Sequence, residues 1–174
     1  MRAAFPLTLL LAGTALAQGR HNTAAPIDFG ANSIELQDRA NRAVLAGNVQ
    51  VRQAGMTLNA ARMTVAYTGQ VIGGSPQVSR LDASGGVTVR RPDQTARASY
   101  AIYDLNRRVI TMLGAVTLTQ GANTVNGGRL TINLDSGRAV IDGSSVGSGG
   151  SDAGGTTLTR GGRVTGTFSV PDRN

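Results

Sequence analysis

Apolar and polar residues alternate one for one in many short runs between Ile27 and Leu134. Ile34-Glu35-Leu36-Gln37, Val49-Gln50-Val51-Arg52, Val87-Thr88-Val89-Arg90 and Val116-Thr117-Leu118-Thr119 all carry the pattern. A period of two sends successive side chains to opposite faces of a strand, so each run predicts a strand with one buried and one wet face. Apolar stripes at helical spacing are missing, and the chain's 24 glycines would weaken any helix. Short strands broken by Gly, Asn and Asp predict an all-β fold of antiparallel hairpins: a sandwich, a barrel or a roll.

A weak repeat underlies the strands. Gly47-Asn48-Val49-Gln50-Val51, Gly85-Gly86-Val87-Thr88-Val89 and Gly114-Ala115-Val116-Thr117-Leu118 share a Gly-x-Val-x-apolar core, and strand starts are expected at Met63, Tyr100 and Leu130, 15 or 16 residues after each first Gly. Asp38-Arg39-Ala40-Asn41-Arg42, Asp104-Leu105-Asn106-Arg107 and Asp135-Ser136-Gly137-Arg138 have turn chemistry, with new strands expected at Val44, Val109 and Val140. The glycines stand 38 and 29 residues apart, which is no solenoid period; the unit reads as a repeated pair of hairpins. In Leu81-Ala83-Gly85-Val87-Val89 and Ile110-Met112-Gly114-Val116-Leu118 the apolar phase runs unbroken through a central Gly, where a strand can bend sharply. Strands bent there and stacked in register fold a sheet over itself and line a continuous apolar trough.

The ends differ from this middle. Arg2, the apolar run Ala3 to Ala12 and the small-x-small triplet Ala15-Leu16-Ala17 have the layout of a secretory signal peptide cleaved after Ala17, leaving 174 − 17 = 157 residues. A retained anchor is the rival reading, but polar Gln18-Gly19-Arg20-His21 arrive before the roughly 20 apolar residues a spanning helix needs. Residues 18–25 read as a flexible mature N-terminus and 26–142 as the strand domain. Residues 143–162 turn to Gly, Ser and Thr and read as a loop. Residues 163–174 read as a last strand, which alternates until Pro171 ends it, and a tail.

Composition narrows the function. The chain has no Cys, which excludes zinc-thiolate sites, CxxC redox motifs and cysteine nucleophiles. All 17 basic residues are Arg, against 10 acidic ones, for a net charge of +7. Outside the cytoplasm such a charge meets phosphorylated lipids or glycans more often than nucleic acid. The arginines are scattered (Arg52, Arg62, Arg80, Arg90, Arg91, Arg129) and aromatics make up only 3%, so no base-stacking platform is supplied and no nucleic-acid partner is expected. Equally, the arginines can simply keep a β protein soluble and blunt its edges.

Catalysis has little to stand on. Gly143-Ser144-Ser145-Val146-Gly147 fits the G-x-S-x-G pattern, but more Gly and Ser follow where a helix is needed, and the single histidine, His21, lies upstream. A serine without a base stays protonated. His21 reads as a solvated tail residue. Acidic residues fall singly, mostly in turns, and a pair such as Asp93 with Asp104 has nothing in the sequence to bring it together. Gly149-Gly150-Ser151-Asp152 is one isolated copy of a Gly/Asp unit and carries no weight as a calcium motif. Neither an enzyme nor a metal or other cofactor is expected.

Three stretches, and a fourth near the end, resemble the LptA or OstA-like family of periplasmic lipopolysaccharide-transport proteins: Pro26-Ile27-Asp28-Phe29 with Ser33-Ile34-Glu35-Leu36; Ala46-Gly47-Asn48-Val49-Gln50-Val51 with Leu58-Asn59-Ala60; Leu113-Gly114-Ala115-Val116 through Gly127-Gly128; and Arg163-Val164-Thr165 to Val170-Pro171. The resemblance covers residues 26–142 and 163–171, with the Gly/Ser insertion as a departure. It implies an antiparallel β-jellyroll, one long sheet rolled into an open V-shaped trough, that holds the acyl chains of lipopolysaccharide or a similar glycolipid. It implies edge-strand addition to an LptC-like inner-membrane protein and an LptD-like outer-membrane protein, and head-to-tail self-association. By matching position Ile27 and Phe29 fall on a first strand, and Tyr103 and Leu105 on a middle strand that faces lipid. The full set assigned to the trough adds Ile34, Leu36, Leu45, Val49, Val51, Leu58, Met63, Val65, Leu81, Val87, Val89, Ile110, Met112, Val116, Leu118, Leu130 and Ile132. Each could equally be ordinary core. A non-catalytic structural or adhesive surface protein, and an anchored LptC-like component, are the competing readings.

Overall fold

The computed structural model describes residues 21–69, 74–143 and 163–167. The signal segment, most of the Gly/Ser stretch with its G-x-S-x-G serines, and the chain beyond Thr167 lie outside the described residues.

Alternating β-branched and polar residues form the strands the pattern predicts: β1 (Ile27–Gly30), β2 (Ser33–Gln37), β3 (Arg42–Gln53), β4 (Met56–Thr68), β5 (Gln77–Arg90), β6 (Thr95–Asp104), β7 (Val109–Gln120), β8 (Asn123–Asn133), β9 (Ala139–Asp142) and β10 (Thr165–Thr167). All ten belong to one antiparallel sheet, in which β3 to β8 are neighbours in chain order. The outer edge of β3 is covered in two pieces: β2 pairs its first half and β1 its second. The far edge of β8 is covered the same way, by β9 and β10. Among the described residues the sheet does not close on itself.

The repeated Gly-x-Val unit is the crease of this sheet. Gly47-Asn48 in β3, Gly85-Gly86 in β5 and Gly114-Ala115 in β7 all have positive φ, between 47° and 82°. The register shifts at each of these pairs. The intervening strands meet the crease with small residues: Ala60-Ala61, Ala98-Ser99 and Gly127-Gly128. The close approach demands it, because a Cβ on Gly85 would stand 2.6 Å from that of Ala61. Met63, Tyr100 and Leu130 therefore do not start strands; they are where β4, β6 and β8 resume beyond the crease. The three expected chain reversals are present, the first as a single 3-10 turn over Asp38–Ala40, and they feed β3, β7 and β9 within two residues of the expected positions.

The crease divides the sheet into two walls. The first holds residues 42–46, 62–68, 77–84, 100–104, 109–113 and 129–133 with β2 and β9; the second holds the other halves with β1 and β10. No second layer is present among the described residues, yet residues of both walls fall to near-zero exposure in one cluster, including Leu45, Met63, Met112 and Leu130 of the first wall and Val51, Leu58 and Val89 of the second. A single sheet can bury one face this way only by covering itself, so the inner faces of the walls lie against each other.

Candidate functional site

Residues directly opposite on antiparallel strands project to the same face, so the pairing traces lines of side chains across the inner surface. In the first wall one line runs Ile34, Leu45, Met63, Ala83, Ala101, Met112, Leu130, Ile141. Beside it runs Leu36, Ala43, Val65, Leu81, Tyr103, Ile110, Ile132, Ala139. The second wall answers with Phe29, Val51, Leu58, Val89, Ala96, Leu118, Val125, and Val49, Val87 and Val116 face inward next to the crease. The lining is thus apolar from one edge of the sheet to the other.

Burial along these lines is uneven. Of the assigned trough residues, Leu45, Val49, Val51, Leu58, Met63, Val65, Leu81, Val87, Val89, Tyr103, Ile110, Met112, Val116, Leu130 and Ile132 are buried. Ile27, Leu105 and Leu118 are half-buried against them. Leu105 lies in the turn after β6, where its N–H donates to Ser79 O at 3.0 Å. The last three, Phe29, Ile34 and Leu36, continue the lining onto β1 and β2 but stand 46%, 47% and 55% exposed. The inner surface therefore runs out at the β1–β2 end as bare hydrocarbon.

One buried inward position is polar. The phase Val49, Val51, Gln53 carries a carboxamide to the tip of β3, 2% exposed. It is the one buried polar side chain among the described residues. Its Oε1 accepts from the Tyr103 hydroxyl at 2.8 Å and from His21 Nε2 at 3.2 Å. Its Nε2 donates to the carbonyls of Thr23 at 3.0 Å and Ala25 at 3.1 Å. Gln53 belongs to the second wall and Tyr103 to the first, so their bond ties the walls together across the interior. Burial holds the Tyr103 hydroxyl above its ordinary value of 10.0, so it stays a protonated donor. His21 is consequently not the solvated tail residue expected, and Gln53 was missed altogether. Its signal is legible in hindsight: a Gln in the inward phase of an otherwise apolar strand.

The outer surface is of another kind. On the second wall Gln50, Asn59, Thr88, Arg97, Thr117, Asn126 and Thr165 form one polar line. On the first wall Arg62, Asp82, Tyr100 and Leu113 border an open hollow of about 430 Å³, and Arg80 pairs with Asp82 at 2.7 Å. Asp93 and Asp104 end up at opposite ends of β6. No three His, Asp or Glu are grouped to hold a metal among the described residues.

Comparison with known proteins agrees with this geometry. The solved structure of LptH from Pseudomonas aeruginosa, described as the LptA homologous periplasmic component of the conserved lipopolysaccharide transport device, has the same fold, with a TM-score of 0.67 at 17% identity, covering 86% of this chain and 99% of that one. An uncharacterized protein of Rhizobium meliloti (strain 1021) is 32% identical over 121 residues, 67% of this chain and 65% of that protein's own length. Residues 29–138 match the family described as LptA/(LptD N-terminal domain) LPS transport protein. That match takes in the crease and both walls, and the chain belongs to that family.

Proposed function

We propose that this protein is a periplasmic carrier, or one span of a bridge, that takes lipopolysaccharide or a similar amphipathic glycolipid by its acyl chains and passes it from inner to outer membrane for outer-membrane assembly. The observation that carries the reading is the inner lining, apolar from edge to edge and ending in exposed Phe29, Ile34 and Leu36. A filled core would end in polar caps; this one ends where another apolar surface can continue it. Burying one acyl methylene is worth about 0.8 kcal/mol, so several chains cannot cross water at a useful rate, and a dry path removes that barrier. Nothing in this role needs catalysis, and the driving energy comes from elsewhere.

Residues 26–142 and the last strand, in this reading, form the carrying unit, exported by the N-terminal signal segment. Both sheet edges are covered by short strands, and such edges accept strands from neighbours: an LptC-like protein at one side, an LptD-like protein at the other, or a second copy head to tail. Acyl chains would part the walls, which the strands β3 to β8 join along the crease. Photo-crosslinkers at inward Val116 and outward Thr117, in protein expressed in its own envelope, test the reading. Crosslinks to glycolipid from Val116 and not from Thr117 are expected. Protein-only crosslinks from Val116, with no lipid extracted from the purified protein, would leave a structural β protein instead.

A further inference from the structure

Gln53 is the one polar side chain buried in this lining among the described residues. A buried carboxamide costs free energy unless all its hydrogen-bonding groups are used, and Leu or Met would fill the position without that cost. Its partners are telling. The hydroxyl of Tyr103 and Nε2 of His21 occupy the oxygen, which aims the NH2 group at two neighbouring carbonyls, those of Thr23 and Ala25. These carbonyls belong to a short turn outside the sheet, held by Ala25 N–H to Asn22 O at 3.2 Å and Ala24 N–H to Asn22 Oδ1 at 3.1 Å. Asn22 and Ala24 are exposed, and Thr23 and Ala25 only half-buried. Gln53 itself ends its strand, with the exposed Ala54-Gly55 turn following, so it stands where the dry interior meets water.

We propose that Gln53 is a positioning and specificity residue for the cargo: its NH2 group binds the ester or amide carbonyls that join acyl chains to a glycolipid head group, and residues 22–25 occupy it until cargo displaces them. The proposal rests on the carrier reading above. With tails inside the walls and the head outside, the linking carbonyls of an amphiphile fall at the boundary Gln53 occupies. Exchange of two peptide carbonyls for two acyl carbonyls keeps the NH2 group of Gln53 satisfied in both states. The turn at 22–25 is cheap to release because few of its own groups are buried.

The test uses the full chain and two fluorescent probes of equal chain length: a diacyl glucosamine phosphate with ester and amide linkages, and its dialkyl ether analogue, which lacks the carbonyls. The natural sequence should prefer the acyl probe by about two- to fivefold, because the displaced peptide carbonyls regain water while the acyl carbonyls take their place on the amide. Gln53→Leu should bind both probes equally, at the ether level. Should Gln53→Leu not fold, Asn22→Ala, outside the sheet, should tighten the acyl probe by about two- to fivefold and leave the ether probe unchanged, because the turn it loosens is worth about 1 kcal/mol at most. Hydrogen exchange at Ala24 and Ala25 should quicken when the acyl probe binds. An acyl preference that survives in Gln53→Leu, no response in Asn22→Ala, or protection at 24–25 that persists in the acyl complex would each overturn the proposal. Failure of both probes to bind at all would instead sink the carrier reading on which it rests.

Discussion

At the scale of single residues, the crease and the edge set the tightest constraints. Gly127 is not in the left-handed region, so its need for glycine is one of room: a Cβ there would lie 2.3 Å from Ile141 Cγ2 and 2.9 Å from the Asp142 carbonyl oxygen. Gly127→Ala must therefore push β9 away from β8. Overpacking of this kind costs about 1–3 kcal/mol, and the loss should show in urea unfolding together with faster amide exchange in residues 139–142. Gly86 illustrates the opposite case, with nothing near its absent Cβ but a φ of +73° that other residues adopt at a cost. Asn48 and Ala115 accept the same left-handed backbone without being glycine. This explains why the repeat conserves its first Gly across the three copies but varies the second position.

At the scale of elements, β1 and β2 are where stability and function separate. Ile34 is paired to Leu45 through its backbone, but its side chain is half in water, so it contributes little to the fold. Ile34→Glu should change unfolding free energy by no more than about 0.5 kcal/mol. The same change places a charge on the bare end of the lining and should abolish crosslinking to whatever protein or second copy docks there; retained docking would show that this end is not used. Most of these elements were legible in the alternation, because a strand with one dry face writes its phase directly into the sequence. The bent strands were legible from Gly85 and Gly114 lying within an unbroken phase. What the alternation hid was the continuity of β4, β6 and β8: they cross the crease on alanines, serine and glycine, which read as gaps between strands. Gln53 was hidden for a different reason, since its partners lie 28 to 50 residues away and no local pattern announces them.

At the scale of the whole molecule, the two walls depend on packed hydrocarbon and one buried polar tie. Burial holds the Tyr103 hydroxyl protonated past its ordinary value of 10.0, and burial with the Asp38 carboxylate does the same for Tyr67, which donates to Asp38 Oδ1 at 2.9 Å. A raised pKa stabilises the fold fully below the unfolded value and loses that contribution as pH climbs toward the folded one. Thermal stability should accordingly hold up to about pH 10 and fall beyond it, and Tyr103→Phe should lessen that fall; an unchanged alkaline slope would remove Tyr103 from the account. The split covering of the sheet margins has a further consequence. Because two short segments share each long strand's border, a visiting chain can trade places with one while its neighbour stays zipped. Exchange can then proceed in instalments, each costing only three to five residue pairs, so a joint between successive proteins could form without the molecule ever laying a whole border bare.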